Sequence, residues 1–192
     1  MAELQDLSVQ KSAARSLAKG RLEGITPQMT RAWGLRMLEN LMALPVWANS
    51  RTIMCFMSMP TEPDTEPILR QILHERRTLC LPRQTDTPGI MQAHRVSALF
   101  ALVKGPHGIS EPPAGLPVIE PESIDLIITP CLAASPDGTR LGHGCGYYDR
   151  FFARCPNATR ALLCPSQQVF AQLPHNENDL PVHIIVTEKG IL

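Results

Sequence analysis

Two patterns of apolar residues take turns along the chain: stripes with helical spacing and short uninterrupted runs. Helical spacing runs through residues 4–19 and, behind the helix-start pair Thr26-Pro27, through a second stripe that reaches Pro45. A third helix is predicted from about Thr65, where isoleucine and leucine recur one turn apart. Short apolar runs predict buried strands at 52–56, 78–82, 124–129, 160–164 and 183–187, and a looser pattern predicts one more at 90–96.

Buried strands separated by helices are typical of a mainly parallel sheet that is covered on both faces. We therefore predict the α/β class, as a three-layer α/β/α sandwich around a mainly parallel, Rossmann-like sheet. A length of 192 residues corresponds to a single domain, which we place at residues 1–192.

Composition excludes several classes of protein. Hydrophobic residues make up 44% of the chain and charged residues 19%, which is not the composition of a disordered protein. Eighteen basic and 18 acidic side chains give zero formal net charge, so there is no basic footprint for nucleic acid. No apolar run approaches the roughly 20 residues of a membrane span, and the N-terminus lacks the apolar segment of a secretory signal. We expect a cytoplasmic monomer without nucleic-acid or membrane partners.

The six cysteines do not form a recognisable metal or disulfide framework. None stands in a C-x-x-C pair, and no histidine lies at zinc-site spacing from them. Several occur in apolar runs, where a free cysteine behaves as a small core residue. Reduced thiols are the expected state.

The segment after the strand at 124–129 carries the strongest candidate chemistry. Ligands of parallel sheets bind beyond the carboxyl ends of the strands, and this position holds RLGHGCGYYD, residues 140–149. Its alternating glycines let backbone N–H groups line an anion, and Arg140 adds a forked cation. A short helix predicted at about 147–155 would add the partial positive charge of its N-terminus.

This segment matches neither the Walker phosphate loop nor the G-x-G-x-x-G dinucleotide motif. From the residue types alone, a phosphate cradle and a flexible glycine turn both remain open. Asp149 is then either an ordinary acid at a helix start or an oxygen ligand for Mg²⁺.

As a whole string the region is more specific. D-x-I-I-x-P-x-L-A, followed by D-G-x-R-L-G-x-G-x-G-Y-Y-D, resembles the signature of the 5-formyltetrahydrofolate cyclo-ligase family, also called methenyltetrahydrofolate synthetases. Three further blocks resemble the family in the same order: Lys11-x-x-x-Arg15, residues 56–83 with Glu62, and residues 173–183 with Asp179. The chain departs from the family pattern at Ala14, Pro63, His143, Cys145 and His183, the last replacing a residue that is usually acidic.

The resemblance implies an ATP- and Mg²⁺-dependent enzyme, a cyclo-ligase that forms a carbon–nitrogen bond. Its substrate would be 5-formyltetrahydrofolate, with or without a polyglutamate tail, and its products 5,10-methenyltetrahydrofolate, ADP and phosphate. ATP would phosphorylate the formyl oxygen, after which N10 attacks and phosphate departs. Two alternatives stay open: a catalytically idle module that binds folate or nucleotide, and an ATP-dependent ligase with another acceptor.

The resemblance also implies roles for individual residues. Lys11 and Arg140 would be catalytic, and Asp149 and Asp179 would hold Mg²⁺. The implied ATP-binding residues are Lys11, Arg15, Arg140, Leu141, Gly142, His143, Gly144, Cys145, Gly146, Tyr147 and Tyr148. The implied folate-binding residues are Met57, Glu62, Gly144, Tyr147 and Tyr148.

Each of these residues also has a plain structural interpretation. Lys11 and Arg15 fit a solvated helix flank, Arg140 a surface salt bridge, and Met57 an apolar core. Asp149 and Asp179 fit a helix cap and a turn aspartate, and the two tyrosines ordinary packing. His94 and His107 belong to no matching block, and we expect both to be structural. The Gly- and Pro-rich segment 104–117 is either a flap over the folate or a long connection.

Overall fold

A computed structural model describes residues 2–105 and 108–192 of the chain. Its five α-helices are α1 (Ala2–Gly20), α2 (Pro27–Met42), α3 (Pro45–Asn49), α4 (Glu66–His74) and α5 (Tyr147–Phe152). The longer strands are β1 (Thr52–Met54), β2 (Thr78–Gln84), β3 (Met91–Val96), β7 (Leu126–Thr129), β10 (Thr159–Leu163) and β11 (Ile184–Thr187). Two-residue strands are β4 (Val103–Lys104), β5 (Ser110–Glu111), β6 (Val118–Ile119), β8 (Ala133–Ala134), β9 (Arg140–Leu141) and β12 (Gly190–Ile191).

Eight strands form one sheet in the order β12-β11-β10-β7-β1-β2-β3-β6. The five central strands, from β11 to β2, are parallel, whereas β12, β3 and β6 add antiparallel edges. The pairs β4-β5 and β8-β9 form two small sheets of their own. This topology confirms the predicted α/β class with a mainly parallel sheet.

Residues of the central strands alternate between two apolar layers, which is why these strands appear as continuous hydrophobic runs. Ile53 and Leu79 pack with α2, α3 and α4 on one face of the sheet. Met54 and Cys80 point to the other face and pack against α5. Helices on both faces give the expected three layers.

Local signals account for the helix starts. The Thr26 hydroxyl accepts a 3.3 Å hydrogen bond from the Met29 N–H, and Pro27 occupies the first turn of α2, where a missing N–H costs nothing. Pro45, predicted to end that helix, instead begins α3 for the same reason. The helix predicted to reach residue 155 ends at Phe152 in α5, and the chain then continues as turns.

Helix α1 lies against the small β8-β9 sheet rather than against the main one. Buried Ala18 packs there with Leu132, Ala133 and Leu141. This contact carries the polar face of α1, with Lys11 and Arg15, to the edge of the sheet where the parallel strands end.

No helix within residues 2–105 and 108–192 is long and apolar enough to cross a membrane. The six cysteines are free thiols. The single domain over 1–192 and the monomeric state stay predictions.

Candidate active site

A cleft of about 540 Å³ lies beyond the carboxyl ends of β1, β2 and β7. Parallel sheets place ligands at this edge. The cleft brings together every site residue predicted from the sequence. These are Lys11, Arg15, Met57, Glu62, Arg140, Leu141, Gly142, His143, Gly144, Cys145, Gly146, Tyr147, Tyr148, Asp149 and Asp179.

Helix α1 presents two cations to the cleft from successive turns. The Lys11 ammonium donates to the Asp179 carboxylate, which also accepts a 2.7 Å hydrogen bond from the Asn176 N–H. Arg15 Nε donates to the carbonyl oxygen of Gly142 at 3.0 Å. The helix is thus attached to both the C-terminal segment and the glycine loop, which we define as residues 142–146.

Arg140 is a deeply buried cation of the cleft, with 6% of its side chain exposed. Its Nη2 donates to Asp149 Oδ1 at 2.9 Å, and its guanidinium carbon lies 5.5 Å from the centre of the Tyr148 ring. Its Nε is buried and has no hydrogen-bond partner among the described residues. A buried donor without a partner is costly, so this N–H is available to an anionic ligand.

Backbone geometry and close contacts explain why glycines occupy this loop. Gly144 and Gly146 have φ values of +106° and +66°, a region that side-chain-bearing residues rarely adopt. A Cβ at Gly142 would stand 2.8 Å from Arg140 Nη1. The loop therefore keeps its backbone open and leaves room for the buried guanidinium.

His143 lies in this loop among cations. Burial, together with Lys19, Arg15 and Arg140, lowers the pKa of its imidazole below the ordinary value. The side chain is accordingly neutral at pH 7 and adds no charge to the loop.

Glu62 is a buried carboxyl group in the turn that follows β1. Its Oε2 accepts a 2.8 Å hydrogen bond from the Met59 N–H, and the Glu62 N–H donates to the Met59 carbonyl at 3.0 Å. Burial raises the pKa of Glu62 to about 7. The carboxyl group thus exists in both protonation states near neutral pH.

The two tyrosines of α5 have different surroundings. The Tyr147 hydroxyl donates to Gln84 Oε1 at 3.1 Å, which joins α5 to the end of β2. The Tyr148 ring is tilted against Phe152, with 5.9 Å between centroids. Burial raises the pKa of the Tyr148 hydroxyl, so it remains a neutral phenol in the physiological range.

Asp149 and Asp179 supply hard oxygen donors of the type that Mg²⁺ prefers. Within the described part of the chain, no cluster of three or more His, Cys, Asp or Glu side chains could hold a metal ion. Mg²⁺ is usually bound by one or two carboxylates, with waters and substrate phosphates completing the octahedron. The two aspartates fit that habit, although each is paired with a cation, Arg140 or Lys11.

Ten residues that line the cleft were not predicted as site residues, among them Met59, Gln84 and Glu111. Gln84 ends β2, so the rule that ligands bind beyond strand ends could have found it. Glu111 lies on β5 and pairs with Arg83, with 2.6 Å between Oε1 and Nη1. No local pattern marks that pair, because its partners are 28 residues apart.

Three residues of the segment 104–117 line the cleft: Ile109, Ser110 and Glu111. His94 Nδ1 contacts the Leu116 carbonyl oxygen at 2.9 Å within the β3-β6 region, as expected for a structural histidine. His107 lies outside the described residues.

Comparison with known proteins identifies the family of the chain. The family model described as the 5-formyltetrahydrofolate cyclo-ligase family matches residues 8–188. The chain belongs to the 5-formyltetrahydrofolate cyclo-ligase family. It is therefore an enzyme of the cyclo-ligase type, as the sequence predicted.

Individual members of this family are similar along most of the chain. A 5-formyltetrahydrofolate cyclo-ligase from Mus musculus is 28% identical over 191 residues, 94% of each chain. One from Saccharomyces cerevisiae is 30% identical over 168 residues, 74% of this chain and 78% of the relative.

Two solved structures resemble the fold. The 5,10-methenyltetrahydrofolate synthetase of Aquifex aeolicus has a TM-score of 0.82 at 30% identity, covering 94% of this chain and 91% of its own. That of Mycoplasma pneumoniae has a TM-score of 0.72 at 17% identity, covering 92% and 97%, and supports the fold alone.

Proposed function

We propose that this enzyme converts 5-formyltetrahydrofolate and ATP into 5,10-methenyltetrahydrofolate, ADP and phosphate. The single observation that carries the proposal is that Lys11, Arg15 and Arg140 line one cleft together with the glycine loop, at the ligand-binding edge of the sheet. Three cations beside an open glycine backbone suit a triphosphate. The activity named for the relatives supplies the acceptor.

An N-formyl group needs activation before it can close a ring. Amide resonance makes its carbon a poor electrophile, and the oxygen would have to leave as hydroxide. Transfer of the γ-phosphoryl group of ATP to the formyl oxygen releases ADP and creates a phosphate leaving group. N10 then attacks the formyl carbon, the carbon–oxygen bond breaks, and the phosphate departs with the proton that N10 loses.

Phosphoryl transfer requires positioning and neutralisation of charge more than covalent help from the protein. We assign Arg140 to the transferring phosphoryl group, because its Nε is a buried donor without a partner among the described residues. Lys11 and Arg15 bind the remaining phosphates. When bound, Mg²⁺ neutralises phosphate charge, and Asp149 and Asp179 are the residues that would hold it.

The folate is assigned to the apolar and aromatic side of the cleft. Met57 and the tyrosines of α5 offer flat and apolar contacts for the pterin. Glu62 binds a polar edge of the ring, accepting hydrogen bonds when ionised and donating one when protonated. A cytoplasmic location, a monomeric state and binding of a polyglutamate tail remain predictions of the same proposal.

The test is to mix the purified protein with 5-formyltetrahydrofolate and Mg-ATP and to follow the near-ultraviolet absorbance of the methenyl product. The control omits ATP. We expect an ATP-dependent rise. No rise with folate still bound in calorimetry would identify an idle binding module, and no rise without folate binding would point to another acceptor.

A further inference from the structure

Arg150 lies behind the glycine loop, outside the cleft, on helix α5. Its Nε donates to the carbonyl oxygen of Gly89 at 2.8 Å, and its Nη2 donates to the carbonyl oxygen of Cys145. The guanidinium thus joins the glycine loop to the turn between β2 and β3, two segments that are far apart in sequence. Neither Arg150 nor Gly89 lines the cleft.

Gly89 is shaped to receive this guanidinium. It is buried in the turn and has a φ of +78°. A Cβ at this position would overlap Arg150 Nη2 and stand 2.6 Å from its Cζ. Any side chain here would displace Arg150, and this effect is separate from the backbone strain that a positive φ imposes.

The same guanidinium also approaches the end of the loop. A Cβ at Gly146 would stand 2.9 Å from Arg150 Nη1. Gly146 precedes α5 and has no side chain to cap that helix. Arg150 therefore donates to the loop backbone at Cys145 and occupies the space that a side chain at Gly146 would need.

We propose that Arg150 and Gly89 form a clamp that holds the glycine loop in its nucleotide-binding conformation. Arg150 is a positioning residue, because it acts on the loop backbone and not on the ligand. The inference rests on the proposed function, in which this loop binds ATP.

The physical reason is the flexibility of the loop itself. Three glycines within five residues leave the free loop many conformations, and binding must select one of them. A planar guanidinium that donates to two carbonyls in different segments removes that freedom before ATP arrives. Losing the clamp should weaken ATP binding and leave the chemical step largely intact.

The first test compares Arg150→Ala with Arg154→Ala. Arg154 extends from the turn after α5 and donates to the Met91 carbonyl at 3.3 Å, so it also joins this region to β3 without touching the loop. We expect Arg150→Ala to raise the KM for ATP roughly tenfold with kcat nearly unchanged, since a charge-assisted contact is lost away from the reacting atoms. Arg154→Ala should leave both constants near wild type. Arg150→Lys should be intermediate, because one ammonium cannot replace the fork.

The second test acts from the other side of the clamp. Gly89→Ala should reproduce the KM effect of Arg150→Ala. Its control is Gly24→Ala, because Gly24 has the same φ of +78° but a Cβ added there would meet no heavy atom within 4 Å. Both variants carry the backbone strain, and only one displaces Arg150.

Thermal melting identifies variants that fail to fold, and hydrogen exchange of residues 142–146 reports the loop directly. We expect faster exchange there in Arg150→Ala and Gly89→Ala than in their controls. If the wild type turns over folate with ATP while both variants match their controls in KM and in exchange, the clamp is wrong. If the wild type neither binds ATP nor turns over, the proposed function fails instead.

Discussion

Arg140 and Asp149 face each other across the glycine loop, with 2.9 Å between Arg140 Nη2 and Asp149 Oδ1. The ion pair orients a guanidinium that is otherwise enclosed by Tyr148 and Phe152. The Asp149 carboxylate thus positions Arg140, whose buried Nε has no hydrogen-bond partner among the described residues. This relationship gives the first prediction.

Arg140→Lys should lower kcat by about 100-fold or more, because a point charge cannot supply two directed donors to a transferring phosphoryl group. The measurement is steady-state turnover at saturating ATP and folate. Arg160→Lys is the control, since Arg160 also lies near the Phe152 ring but contacts His183 rather than the cleft. Wild-type kcat in Arg140→Lys would remove the proposed role.

Gly142→Ala tests the same guanidinium without changing its charge. The new methyl group would stand 2.8 Å from Arg140 Nη1, so the guanidinium or the loop must shift. We expect kcat to fall roughly tenfold, as is usual when a catalytic group is misplaced by a fraction of an ångström. Gly20→Ala is the control, because a Cβ there meets nothing within 4 Å. Equal rates in the two variants would show that Arg140 tolerates the displacement.

Asp149→Asn and Asp179→Asn should each raise the Mg²⁺ concentration needed for half-maximal ATP use by about tenfold or more, since each removes a charged oxygen donor. The titration is made with free Mg²⁺ varied at constant ATP. Asp86→Asn, in an exposed turn, is the control. An unaltered titration curve in both variants would place the ion elsewhere.

The raised pKa of Glu62 makes stability depend on pH. A carboxyl group whose pKa is about 7 in the folded protein and about 4.5 in the unfolded chain holds its proton more tightly when folded. It stabilises the fold fully below pH 4.5, and this contribution is lost as pH rises through 7. Glu62→Gln removes the titration.

Between pH 5 and pH 8, the free energy of unfolding of Glu62→Gln should therefore increase by roughly 2–3 kcal/mol relative to that of the wild type. Urea unfolding at the two pH values measures it. Glu23→Gln, on an exposed turn, should show no such trend. A difference between Glu62→Gln and wild type that is independent of pH would contradict the raised pKa.

Two ion pairs of equal length differ strongly in burial. The distances Arg83 Nη1–Glu111 Oε1 and Arg70 Nη2–Glu66 Oε1 are both 2.6 Å, but the Glu111 side chain is 11% exposed and that of Glu66 is 50% exposed. Glu111→Gln should cost about 1–3 kcal/mol of unfolding free energy, because it leaves Arg83 without its counter-charge.

Glu66→Gln should cost less than about 0.5 kcal/mol, as exposed pairs do. Denaturant unfolding gives both values. Because Glu111 lines the cleft, Glu111→Gln should also raise the KM for folate, whereas Glu66→Gln should not. Equal stability losses in the two variants would mean that burial does not distinguish these pairs.

Much of the fold was predictable because its signals are local. Thr26 and Pro27 specify the start of α2 within one turn, and the continuous apolar run at Leu126–Thr129 specifies a strand buried on both faces. The short pairs β4-β5 and β8-β9 were not predicted, since two-residue strands carry too few positions for a period to appear.

The sequence by itself determined where the backbone near the site lacks side chains and where the charged groups stand. Alternating glycines required a backbone free of side chains, and the resemblance to the family pointed to Lys11, Arg140 and Asp179 as members of one site. Backbone freedom and charge belong to single residues and their immediate neighbours, so they can be predicted without the fold.

Only the tertiary structure decided which of these residues meet. Lys11 contacts Asp179 across 168 positions of the chain, Tyr147 contacts Gln84 across 63, and Arg150 contacts Gly89 across 61. Such pairs depend on the strand order, which places the ends of β1, β2 and β7 side by side. Strand order is a property of the whole packed sheet, and no local period in the sequence records it.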